Sequence, residues 1–557
     1  MNTPPQVGLV LLDYVVFFAY FAVVIGVALW VSFRPRGHER NTEDFFLASR
    51  ALPWWIIGTS LIASNISAEQ MIGMTGSAFA GGLAVISYEW MAAVTLLIVA
   101  KWMLPIFLKM RIYSMPQYLE QRFDYRVSMG LGVFWLLVYV FVNLTSISYL
   151  GSLTLQNLIG PQFLAITGHE FKLIYGVIGL FAISFIYTLT GGLAAVAWTD
   201  VIQVFFLFVG GLAVTYFGLN HMTENGGIVA GFSELWTKAP DHFHTVMPWN
   251  HSLYPWIGVF IGGMWAANLS YWGCNQYITQ RALAGKNIQE AQYGLVFAAF
   301  LKMIVPIVVL LPGIVAFALY SDQIAKPDKA YAVLITNLVP VGFTGLIVAA
   351  IVAAIISSLN SMVNSTATIF TMDIYRKLNP KATEKNLVWT GRLTSIVVVL
   401  IAIPIAPSLG NLDQAFQYIQ EYTGMVSPGV VAIFFLGLFW KRCTAAAAMW
   451  MAILTIPISA FLKFMPMLMR AYLPDVFSGL QIAGSIAAFH DAFLNRMGVA
   501  MLLIFLIGYF LSIETKHAAH EDIKLVGTDA AFRTPALFNV LSILILGVLT
   551  ALYLLFR

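Results

Sequence analysis

Apolar residues run along this chain in long blocks separated by short polar gaps. Fourteen blocks approach or exceed the roughly 20 residues that a helix needs to cross a hydrocarbon layer. They cover 11–33, 53–80, 82–107, 127–158, 172–190, 194–219, 254–279, 290–319, 341–374, 388–407, 414–438, 443–464, 495–513 and 535–555. Their continuity predicts helices, because membrane barrel strands are about ten residues long and alternate in polarity. In two blocks the apolar pattern fails partway. Residues 61–77, LIASNISAEQMIGMTGS, place Ser64, Asn65, Ser67, Glu69 and Gln70 where hydrocarbon should be thickest, and residues 267–277, ANLSYWGCNQY, do the same in the seventh block.

With the first block set aside, the two interrupted blocks each open a run of five. Five is odd, so the second run has the opposite orientation in the membrane. The pattern predicts an all-α polytopic protein of about 14 helices with a ten-helix inverted-repeat (5+5) core and broken helices at the midplane. Residues 1–52 then form an extra helix and the first cytoplasmic loop, 53–220 and 254–440 the two repeats, and 441–557 three peripheral helices.

Composition agrees: 60% of the 557 residues are hydrophobic and 10% are charged, too apolar for a soluble chain of this length. The net charge of +4 resolves into topology. Basic residues gather in alternate loops, at Arg34 to Arg50, Lys109 to Arg126, Arg281 and Lys286, Arg376 to Arg392, Lys441 and Arg442, and Lys516 to Arg533. The positive-inside rule makes these loops cytoplasmic and both termini external or periplasmic. No basic stretch is interleaved with aromatics, so nucleic acid is not an expected partner; the lipid bilayer is. The first block has no preceding Lys or Arg and is expected to remain as a helix. Cys274 and Cys443 give neither a disulfide framework nor metal-ligand spacing.

A broken helix frees backbone carbonyls, which must face protein, water or a bound cation. Hydroxyls of the ninth block, where Ser357 and Ser358 adjoin, are candidate partners, although serine in a membrane helix often bonds its own backbone. Ionisable residues inside blocks are Glu69, Glu89, Asp200 and Lys302, each a functional candidate by its cost in hydrocarbon. Glu89 and Lys302 are expected either to pair structurally or to share a cavity. Glu69 is read as a cap of the broken helix, and Asp200 as interfacial or functional. The amides of Gln70, Asn268, Gln417 and Gln420 beside Tyr271 and Trp272 suit a neutral, many-hydroxyl ring. No arginine falls in mid-block to meet a carboxylate substrate. All nine histidines lie in loops or near block ends, and no phosphate loop or nucleophile–base pair occurs, which argues against an enzyme and against direct ATP coupling.

Seven ordered stretches, LIASNISAEQMIGMTGS, SYEW, VNLTSISYLG, GGLAAVAWTDVIQVFF, NLSYWGCNQYITQRALA, SSLNSMVNSTATIFTMDIY and FQYIQEYTGMVSPG, together resemble the sodium/solute symporter family. The similarity is to its branch of bacterial sodium/galactose and animal sodium/glucose cotransporters. The resemblance implies a sodium site from the carbonyls of Ala63, Ile66 and Ala354 with the hydroxyls of Ser357 and Ser358. It implies a sugar site of Gln70, Glu89, Asn268, Lys302 and Gln420. Tyr271, held by Asn65 and flanked by Trp272, would form an inner gate; Met74, Tyr88 and Phe416 would form an outer lid, and Asp200 would lie on the inward sodium route. Ala92 and Ser270 depart from the pattern, standing where a serine and a tyrosine are expected.

The expected protein is a secondary symporter in the bacterial inner membrane, coupling sodium entry to uptake of a galactose- or glucose-like hexose by alternating access. The alternatives are another polyol such as myo-inositol as substrate, or a sodium-independent sugar uniporter.

Overall fold

The computed structural model describes residues 9–33, 41–67, 69–223, 226–409, 415–472, 489, 491–514 and 532–557. Among these residues the elements are all helical, apart from isolated bridges at Leu52 with Gly285 and Met247 with Pro255. Among the described residues, eleven helical runs are long and apolar enough to cross a membrane. The three apolar blocks outside that set are those at 53–80, 172–190 and 254–279, which the structure interrupts or shortens.

The elements that build the site are α1 (Leu11–Phe33), α2 (Trp54–Asn65), α3 (Thr75–Gly81), α4 (Ser87–Ile98), α5 (Leu173–Met222), α6 (Gly263–Leu269), α7 (Gln276–Leu283), α8 (Ile288–Tyr320) and α9 (Phe343–Ile369). In the apolar 18-residue stretch of the run containing α9, 94% of the residues are buried within protein, against 17% in that of the last run, Ala536–Leu555. The former is the centre of the molecule, and the latter shows Val540, Ile543 and Leu544 outward, as a lipid-facing helix must.

The first break falls where the sequence pattern fails. α2 ends at Asn65, Ile66 takes an extended backbone (φ −76°, ψ 98°), and a π-helical turn at Glu69–Met74 leads into α3. No proline stands in this break, and its glycine, Gly73, lies in the π-helical turn rather than at the extended Ile66. Its polar side chains have partners on other helices, given below, and these offset what the helix loses. The second break mirrors the first: α6 continues through a π-helical turn, Ser270–Cys274, to an extended Asn275 (φ −86°, ψ 126°) before α7 begins.

α8 braces the first break along its length. Its Glu290 accepts from the Trp54 amide at 2.7 Å at the start of α2, Lys302 meets the break itself, and the Val309 carbonyl accepts from Thr75 Oγ1 at 2.7 Å on α3. Gly313 permits that last approach, since a β-carbon there would stand 2.3 Å from the Thr75 carbonyl oxygen. α1 anchors the central helix: Asp13 is buried and accepts from the amides of Gly342 at 2.7 Å and Gly345 at 2.8 Å, capping α9. α5 joins the blocks expected at 172–190 and 194–219 through a sharp reversal of dihedrals at Gly192 (φ 61°, ψ −156°), a region that favours glycine.

Candidate functional site

A cavity with about 1010 Å3 of empty volume, counted to its open mouth, lies between the two breaks. Its wall includes all five residues expected at the sugar site, namely Gln70, Glu89, Asn268, Lys302 and Gln420, together with Asn65, Met74, Tyr88, Tyr271 and Trp272.

The charged centre is Lys302 of α8 with Glu89 of α4. Nζ lies 2.5 Å from Glu89 Oε2, and the two side chains are 1% and 2% exposed. Lys302 also donates to Asn65 Oδ1 and lies 5.1 Å from the Trp272 ring centroid, within range of a cation–π attraction. Asn65 Nδ2 donates to the Tyr271 hydroxyl at 3.1 Å. One unbroken chain of contacts therefore runs from Glu89 through Lys302 and Asn65 to Tyr271, joining the two broken helices. Glu89 and Lys302 neutralise each other, so the cavity suits an uncharged ligand with several hydroxyls. Its remaining polar groups are mostly amides and hydroxyls, and the Tyr271 and Trp272 rings, 5.1 Å apart, add aromatic surface. Asn268 Nδ2 is committed to the Met264 carbonyl at 3.1 Å.

Beside the cavity, α9 meets the first break through serines. Ser358 Oγ donates to the carbonyl of Ser64 at 3.2 Å, at the last turn of α2 before the break. Ser357 Oγ donates to Asp200 Oδ1 at 2.5 Å. Ala63, Ile66 and Ala354 are all buried here. This is a dry, oxygen-rich junction of the kind that a hard monovalent cation can occupy, and among the described residues no cluster of His, Cys, Asp or Glu suits a transition metal instead.

Interrupted helices, a neutral polar cavity between them and an adjoining oxygen-rich junction define a membrane transport protein. Comparison with known proteins gives the particular family. Residues 45–455 match the family model described as "Sodium:solute symporter family". The chain is 45% identical to the sodium/glucose cotransporter of Vibrio parahaemolyticus, over 99% of each chain. It is 34% identical to human sodium/myo-inositol cotransporter 2, over 80% of this chain and 69% of that one. Among solved structures, a Na+-coupled sialic acid symporter in a substrate-bound outward-open state aligns with a TM-score of 0.74 at 24% identity, covering 91% of this chain and 98% of that one. The nucleobase-cation-symport-1 family transporter MHP1 aligns with a TM-score of 0.53 at 13% identity, over 85% and 96%; these two likenesses show a shared fold. The chain belongs to the sodium:solute symporter family. It is a multi-pass membrane transporter rather than an enzyme, and sodium is its coupling ion.

Several placements differ from what the sequence pattern predicts. Arg281 was expected in a cytoplasmic loop, yet it is fully buried, with its guanidinium 3.9 Å from Asp200. The α7 helix continues past the second break and carries the arginine inward, and Asp200 faces the protein interior rather than an interface. Asp13 is a buried carboxylate in the first block that charge counting passed over. Asn143, Asn275, Thr423 and Ser427 also line the cavity, and all four lie in the quoted motifs, at NLT, CNQ, YTG and VSP. Ala92 and Ser270, the two departures from the family pattern, both stand on the cavity wall. The side chains of Glu69, Phe416 and Gln417 lie outside the described residues.

Proposed function

We propose that this chain couples inward sodium flow to uptake of a galactose- or glucose-like hexose by alternating access. The observation that carries the reading is the cavity in which Gln70, Asn268, Gln420 and the neutralised Glu89–Lys302 pair converge, joined through Asn65 to the break that Ser358 touches from the other side. Gln70, Glu89, Asn268, Lys302 and Gln420 bind the sugar hydroxyls. The carbonyls of Ala63, Ile66 and Ala354 with the hydroxyls of Ser357 and Ser358 bind sodium. Tyr271 with Trp272 and Asn65 closes the cytoplasmic side; Met74, Tyr88 and Phe416 close the outer side; Asp200 receives the ion on its way inward.

The break supplies the coupling. Sodium between α2 and α9 fixes the free carbonyls on one side of Ser64 and Asn65, which orders Gln70 and the Asn65–Lys302 contact on the other. Sugar then binds a formed site, and closure followed by inward opening releases both. In this reading the eleven long runs and the three shorter or interrupted apolar blocks make 14 spans. They are arranged as an extra helix, two inverted five-helix repeats (53–220 and 254–440) and three peripheral helices, with both termini outside a bacterial inner membrane. The alternating basic loops and the position of the two breaks support this arrangement.

The substrate is tested in proteoliposomes by labelled galactose uptake with unlabelled galactose, glucose, myo-inositol or mannitol as competitors, in sodium and in potassium. The reading predicts that hexoses compete and that only sodium supports uptake. Competition by myo-inositol alone would move the substrate to the cyclitols, and equal uptake in potassium would remove the coupling.

A further inference from the structure

Four polar side chains that no sugar contact explains, Ser60, Ser361, Asp200 and Arg281, lie beyond the sodium residues, toward the basic-loop side. Ser60 is one turn before Ser64 on α2, and Ser361 is one turn after Ser357 on α9. The two pairs face each other, with Ser64 Oγ and Ser361 Oγ 3.1 Å apart. Asp200 of α5 bridges the helices, accepting from Ser60 Oγ and from Ser357 Oγ at 2.5 Å each. Arg281 of α7 closes the group. Its Nε donates to Ser60 Oγ at 2.9 Å, one terminal nitrogen donates to the Tyr277 carbonyl, and the other donates to Ser361 Oγ and stands 3.9 Å from Asp200 Oδ2. Both charged side chains are wholly buried.

The geometry points to Arg281 as the plug of the inward sodium route: its guanidinium sits beside Asp200 where the departing ion must pass, and holds α2, α9 and α7 together until they part. This rests on the sodium reading given above and adds a residue and a step to it. Ser357 can donate its one proton to Asp200 and still turn lone pairs toward sodium, so Asp200 is the next oxygen beyond the site. A lone buried carboxylate at that point would trap the cation. Arg281 cancels its charge at 3.9 Å, a separation too long for a direct hydrogen bond, so the pair is held by the serines between rather than locked to itself. When the serine-bearing helices separate, the guanidinium loses Ser60 and Ser361 together, and sodium can pass Asp200 without being held. The plug is also tied to the inner gate, because Arg281 grips the carbonyl of Tyr277, whose ring lies 5.7 Å from that of Tyr271.

The test is binding of 22Na+ to the purified full-length protein without sugar, alongside sodium-dependent uptake in proteoliposomes. R281Q keeps two donors but leaves Asp200 uncompensated; sodium should bind at least threefold more tightly while the maximal uptake rate falls at least tenfold. R281K, which keeps the charge, should stay within twofold of the native sodium affinity, and D200N/R281Q, which buries neither charge, should return to within twofold of it. A purely structural arginine would lower the rate of R281Q with its sodium affinity unchanged, and that result would overturn the plug. If R281Q does not accumulate in the membrane, the other two variants decide: a sodium affinity in either that departs from the native value by more than threefold overturns it. Native protein that binds no sodium would instead remove the sodium reading itself.

Discussion

At the residue scale, the site is a set of polar groups whose burial makes sense only in company. Lys302 and Glu89 are each nearly inaccessible, and removing one partner of such a pair leaves an uncompensated charge that costs about 3–5 kcal/mol. K302Q should therefore lower the thermal unfolding temperature of the detergent-purified protein sharply, and E89Q/K302Q should recover most of the loss; a double variant no more stable than K302Q would argue that Glu89 has another counter-charge. The proposed function assigns Ser358 to sodium and Gln70 to the sugar, so the two can be tested separately. S358A should abolish the stimulation of uptake by sodium, whereas Q70A should raise the sugar KM about tenfold, equivalent to one hydrogen bond of about 1.4 kcal/mol, with the sodium dependence retained. Unchanged sodium dependence in S358A would remove that hydroxyl from the ion site. Much of this was legible in sequence, because a polar residue in a 20-residue apolar run is conspicuous and the break, Glu89 and Lys302 all announce themselves so. Arg281 was not: it sits at the margin of a block, where lysines and arginines ordinarily reach water, and only the packing of α7 against α2 and α9 reveals that it does not.

At the scale of elements, α8 is the brace against which the broken helix works. Glu290, Lys302 and Val309 contact the segment before, at and after the break, and Gly313 lets α3 approach to backbone contact. Overpacking of such a contact costs roughly 1–3 kcal/mol, so G313L should destabilise the protein by that amount or more and depress maximal uptake, read by thermal unfolding and initial rates. Next to α3, His242 stacks on Phe317 with ring centroids 3.8 Å apart and meets the Phe79 carbonyl at 3.3 Å. Burial lowers its pKa from the usual 6.5, although the Phe79 contact and neighbouring Asp241 act in the opposite sense. With the folded value below the unfolded one, the unfolded chain binds the proton first, so this histidine contributes stability above pH 6.5 that is lost as the pH falls. The unfolding temperature should drop between pH 7.5 and 5.5 by less in H242Q than in the native protein; equal drops would exclude His242 as a source. Such elements are only half visible in sequence. The 3.6-residue pattern and block lengths gave α1 and α8, but helix breaks made without proline show mainly as polar residues out of place, and the division at Gly192 shows only as a short gap.

At the scale of the whole molecule, the arrangement puts a neutral cavity and an oxygen-rich junction on either side of one break, with a buried carboxylate and arginine beneath. The energetics are sufficient for concentrative transport with a single ion. A charge moving down 100 mV supplies about 2.3 kcal/mol, and a tenfold sodium gradient adds about 1.4 kcal/mol. Together these sustain a sugar gradient of a few hundredfold at about 1.4 kcal/mol per factor of ten. The class of protein was readable from block lengths and the spacing of the two breaks. The identity of the sugar was not, because wall residues such as Ala92 and Ser270 are ordinary in a membrane helix until the cavity places them on its lining. The central claim is that the sodium gradient drives sugar uphill. In proteoliposomes with a tenfold inward sodium gradient and an interior potential of about −100 mV, labelled hexose should accumulate well over tenfold above the outside concentration and leak back when a sodium ionophore is added; an internal concentration that never exceeds the external one, and is the same in potassium, would contradict the account.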